Sequence, residues 1–102
     1  MDYPKNYKSF IALVEATDCP PNSWSDELSS LWWEAKGNWR KAHNLIDAKE
    51  SRTANRIHAY LHRKEGDDWN ARYWYHRANQ LMPNTSLEEE FITLVNDILE
   101  NY

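Results

Sequence analysis

The chain has 102 residues and a formal net charge of −4, from 12 Lys/Arg against 16 Asp/Glu, a length suited to one domain. Two glycines, four prolines and a 41% apolar content exclude collagenous, low-complexity and largely disordered chains. A single cysteine, Cys19, excludes an internal disulfide framework and any zinc site built on several cysteines.

Apolar residues recur with a period near 3.6 rather than 2, which predicts helices throughout. The first spans about residues 7–16 and carries Phe10, Ile11, Leu13 and Val14 as its stripe. Asp18-Cys19-Pro20-Pro21-Asn22 stops it, because consecutive prolines hold the chain extended. Ser23 or Ser25 caps the second helix, about 26–36, with Asp26 and Glu27 in the first turn where the helix dipole favours acids. It buries Leu28, Leu31, Trp32 and Ala35. Gly37 provides the left-handed residue a helix end needs. Asn38 then caps a third helix, about 39–49, with Trp39, Ala42, His43 and Ile46 on one face. Ser51 caps the fourth, about 52–65, and Gly66 ends it. Asp67 caps the fifth, about 68–82, and Pro83-Asn84 breaks the chain again. Ser86 and Glu89 form a capping box for the last helix, whose stripe is Leu87, Phe91, Leu94, Val95, Ile98 and Leu99. The expected architecture is one all-α domain. It comprises an N-terminal helix with its Pro loop (1–22), two hairpins (23–50 and 51–83) and a C-terminal capping helix (84–102).

The two glycines sit in matching contexts. An alanine lies five residues after each (Ala42, Ala71), an aromatic two or three after (Trp39, Trp69), and a large residue four before (Trp33, His62). Glycine turns the corner, alanine allows close approach, and the aromatic is expected to wedge between the helices. Over residues 23–83 the chain resembles the tetratricopeptide and Sel-like helical repeats. Ala59, Gly66, Ala71, Tyr75, Ala78 and Pro83 keep the tetratricopeptide spacing in the second copy. Ala71 to Ala78 resembles the second helix of a Sel-like repeat. The first copy departs from the pattern, since the glycines are 29 residues apart and a standard repeat has about 34. The string from His58 to Asn79 is also similar to small bacterial proteins, a likeness that brings no function. The resemblance implies a right-handed array of hairpins with a concave face.

Charge is unevenly spread: residues 1–35 carry a net −4, residues 36–77 carry +5 with all four histidines, and residues 78–102 carry −5. Such a layout marks either a basic binding surface or neighbouring helices that pair across their contacts, and the second is the plainer. Nucleic acid is not an expected partner of a net negative chain whose pI is about 5.5, although its basic segment holds stackable rings. Apolar runs such as Phe10–Val14 are far shorter than the roughly 20 residues of a membrane span, and nothing at the N-terminus has the form of a secretory leader. A cytoplasmic protein without a membrane partner is expected.

On the resemblance, the first helix of each hairpin lines the concave face, which puts Thr53, Arg56, Tyr60 and Arg63 in a groove. Arg56, Tyr60 and Arg63 stand at i, i+4, i+7 and share a face in any helix. Two guanidiniums about a phenol suit a carboxylate, so the expected function is a small non-catalytic module binding a protein or peptide segment, acidic at its contact. The plainer alternative pairs the same face with Glu50, Asp67 or the acidic helices. A second copy of the chain is a further partner to consider, if Trp24 and the first helix leave an apolar patch.

The second functional reading rests on histidine. His58 and His62, four apart, can bind a metal or exchange protons from one helix face, with His76, Asp68 or Glu65 to complete a site. Two hydrogen-bonded interface histidines are the plainer account, and no cofactor is expected. Nor is catalysis: Cys19 has no sequence-local base, the serines serve as caps, and G-x-S-x-G, P-loop and G-x-G-x-x-G motifs are absent.

Overall fold

The computed structural model describes residues 3–101 and is all-helical, with six helices and no strand among them. They are α1 (Tyr7–Ala16), α2 (Asp26–Ala35), α3 (Trp39–Ile46), α4 (Arg52–Lys64), α5 (Asp68–Arg77) and α6 (Leu87–Glu100). Each begins where a short polar side chain can accept from an otherwise unpaired backbone N–H. Asn6, Ser25, Asn38, Ser51, Asp67 and Ser86 accept from Ser9, Leu28, Lys41, Ala54, Asn70 and Glu89 respectively. The Ser86–Glu89 capping box is complete in both directions.

The turns at the two glycines are one structure used twice. Gly37 and Gly66 have φ of +87° and +89°, the left-handed region where a Cβ is strained. In the first turn Gly37 N–H donates to Glu34 O and Asn38 N–H to Trp33 O; in the second, Gly66 donates to Arg63 O and Asp67 to His62 O. A third copy of this helix end occurs at Asn79, with φ of 57°, where Asn79 N–H reaches His76 O and Gln80 N–H reaches Tyr75 O. It stops α5 at Arg77, five residues before the expected end at Met82, because asparagine tolerates the left-handed conformation and Pro83 is not needed as the breaker. Helix α3 also stops early, at Ile46 instead of Lys49.

Helix α2 packs against α3, and α4 against α5, as two hairpins. Small residues face each other at both crossings: Ser30 donates its hydroxyl to Ala42 O at 2.7 Å, and Ala59 meets Ala71 with no accessible surface on either. Helix α4 is the centre, touching α2, α3, α5 and α6. The main core joins Phe10 and Val14 of α1 to Trp24, Leu28, Leu31, Trp32, Ile46, Ile57, Leu61, Leu94 and Val95. Trp24 and Trp32 are buried, but Trp69 is 80% exposed, against the expected wedge. Trp39 lies two residues after its glycine and Trp69 three after; that extra residue turns a helical side chain by about 100°, so Asp68 takes the register of Trp39.

Helix α6 does not extend the stack beyond α5; it lies along α4 and against α1 and α2. Its Leu94 and Val95 enter the core, and Phe91 covers the ring of Tyr60 at a centroid distance of 5.6 Å. Among the described residues no helix is long and apolar enough to cross a membrane.

Candidate metal centre

The face of α4 that was expected to form a groove is covered by α6. Tyr60 is only 4% exposed. Arg56 Nη2 donates to Asp97 Oδ2 at 3.0 Å, and Arg63 Nη1 to the buried Glu90 at 2.7 Å. Arg63 Nη2 also donates to Thr85 O, and Tyr75 donates its hydroxyl to the other Glu90 oxygen at 2.5 Å. Thr53 is half-buried in a shallow cleft beside Ile98 and Asn101. Both guanidiniums are thus paired with an acidic neighbouring helix, and the groove is filled by the chain's own C-terminal element.

The histidines assemble differently. Trp39 opens α3 and donates its indole N–H to Leu61 O at 2.8 Å, which pins α3 to α4. One turn on, His43 stacks on Trp39, with ring centroids 4.9 Å apart and planes 9° from parallel. Across the interface His58 and His62 stack at 4.9 Å on one face of α4, as the i, i+4 spacing requires. His43 Nε2 lies 3.0 Å from His58 Nε2, and ring nitrogens of all three histidines lie within 4.8 Å of one another. Trp74 of α5 roofs His58 at 3.8 Å, nearly parallel. His58 is 3% exposed and His62 9%.

His76 does not join them. It is exposed on α5, next to Gln80 and Leu81, because it lies two residues beyond Trp74 and so faces away from α4. Its expected place is taken by His43. The sequence did carry that signal, since His43 shares a face with Trp39, Ala42 and Ile46; what was missing was the register of α3 on α4. Glu65 belongs to the site through His62: Nδ1–H donates to Glu65 Oε2 at 2.6 Å. Asp68 is exposed and is not among the grouped ligand atoms.

The protonation pattern suits a metal. With Nδ1–H given to Glu65, Nε2 is the His62 nitrogen left to meet a metal, the orientation that second-shell carboxylates impose on metal ligands. In the 3.0 Å contact between His43 and His58, one ring donates and the other accepts. Burial, followed by the neighbouring His43 and His62, depresses His58 to about 4. Burial also lowers His43, opposed mainly by Asp47, whose carboxylate lies 3.9 Å from its Nε2. Burial thus favours the neutral ring at His43 and at His58. Nitrogens bound tetrahedrally at about 2.0–2.1 Å from zinc lie roughly 3.4 Å apart, so closing on an ion requires the rings to shift and the proton between His43 and His58 to leave those nitrogens.

No protein-family model matches the chain, and no curated protein or solved structure matches it.

Proposed function

We propose that this chain is a small metal-binding protein, with His43, His58 and His62 as the ligands, carried on a tetratricopeptide-like pair of hairpins. The observation that supports it is the convergence of three imidazoles from two helices, with a carboxylate fixing the tautomer of one. Neutral imidazoles favour borderline divalent ions such as Zn²⁺, Co²⁺, Ni²⁺ or Cu²⁺ over Mg²⁺ or Ca²⁺, which prefer oxygen. Three protein ligands leave a fourth position for water or for the nearby Asp47 carboxylate. The peptide-binding reading has less support on this geometry. The face of α4 is filled, and nothing shows what would cover the exposed Trp69, Tyr73 and Leu81.

Calorimetric titration and thermal melts with Zn²⁺ and Ni²⁺ test the proposal. A native-state ligand at 100 times its Kd stabilises by about 2.7 kcal/mol, so the melting temperature rises in wild type. His43→Ala loses most of that rise and His76→Ala none. An unchanged melt in wild type, or full binding by His43→Ala, overturns the site.

A further inference from the structure

A second site lies apart from the histidines and shares no residue with them. Helices α1, α2, α4 and α6 leave a cleft of about 230 Å³ between them, lined by Tyr7, Glu34, Tyr60, Lys64, Glu88 and Phe91 among others. We infer that this cleft binds a small organic ammonium ion.

Glu34 carries the inference. It is a carboxylate with 4% exposure, in the last turn of α2, where the helix dipole is negative and disfavours an acid. One of its oxygens accepts from Lys64 Nζ. The other, Oε1, is buried and has no hydrogen-bond donor among the described residues. A buried carboxylate oxygen without a donor is costly, and Glu34 is among the residues lining the cleft, where its charge bears on a ligand.

The walls suit the same chemistry. Phe91 meets Tyr7 edge-on at 6.1 Å and Tyr60 at 5.6 Å, so three aromatic rings surround the space. Aromatic faces attract ammonium groups, most strongly where water is excluded. Glu88 adds a second carboxylate from the first turn of α6, so the lining carries two negative charges against the one of Lys64. Burial and then the Glu34 and Glu90 carboxylates push the Tyr60 hydroxyl up, while burial and then Glu88 raise that of Tyr7. An anion meets net repulsion here. The volume lies below the roughly 300–1,000 Å³ of drug-sized pockets, which limits the ligand to a small amine and excludes a nucleotide.

The test is an NMR titration of metal-free wild type with n-butylammonium, n-butanol and butyrate. Butylammonium is expected to shift the signals of Tyr7, Tyr60 and Phe91 and to bind at least about tenfold more tightly than butanol, the value of one charge-assisted hydrogen bond. Butyrate should not bind. Glu34→Gln is expected to lose that tenfold preference. Because Glu34 is buried, the exposed Glu88→Gln provides a second variant that stays folded, weakening butylammonium severalfold. No shift with butylammonium, or equal binding of butanol, overturns the inference.

Discussion

The protonation of His58 makes stability depend on pH. It is enclosed by Trp74, His43 and His62, and the Asp47 carboxylate opposes the downward shift. Its folded value of about 4 lies below the 6.5 of an exposed histidine. Between those values the unfolded chain binds a proton that the folded chain refuses. Stability is therefore full above pH 6.5, falls as pH drops toward 4, and is level below that. The loss from this one group is of order 3 kcal/mol. Urea denaturation of the metal-free protein at pH 7.5, 5.5 and 4.5 should show the decline, and His58→Phe, which keeps the stack on Trp74, should flatten it. A wild-type profile no steeper than that of the variant removes His58 as the cause. At this scale the sequence was informative where chemistry is local. The caps, the positive-φ glycines and the His58–His62 face follow from residue type and spacing. His43 was hidden among core positions because its partner lies 15 residues away on another helix.

Between elements, the charges of α4 and α6 fit together. Arg56 meets Asp97 and Arg63 meets Glu90, seven residues apart on each helix, so two salt bridges set the register of the pair. Glu90 is buried and carries two donors, Arg63 and Tyr75. Arg63→Glu places a second carboxylate beside it and should destabilise the protein by about 3–5 kcal/mol. Arg56→Glu, beside the more exposed Asp97, should cost about 1 kcal/mol or less. Chemical denaturation of both variants checks this. Had the face been an open groove, neither substitution would move the midpoint, and an unchanged Arg63→Glu would refute the docking of α6. The basic stripe and the acidic helix were both visible in the sequence. Their pairing was not, since helical periodicity gives each element a buried face without saying which neighbour covers it.

For the whole molecule, part of the acidic–basic–acidic layout is taken up by internal pairing. Acids of both flanking segments, Asp26, Glu34, Glu90 and Asp97, meet Lys49, Lys64, Arg63 and Arg56 of the middle one. The Cα radius of gyration of 12.7 Å is close to the roughly 13 Å expected of a chain this long. The order in which elements pack was beyond the sequence, because the 29-residue spacing of two turns identifies a repeated hairpin but does not say where a sixth helix goes.

Helix α5 packs on α4 and is otherwise tied to the core by Tyr75, which donates to Glu90 of α6, while its outer side exposes Trp69 and Tyr73. Segments held mainly by one neighbour open locally far more often than the molecule unfolds. Amide hydrogen exchange should therefore run faster along α5 than along α4, while equal protection would show that α5 opens only with the rest. Each such opening lifts Trp74 off His58. The cover over the most buried of the described histidines is then a helix at the edge of the fold, and solvent access to His58 would follow the opening of α5.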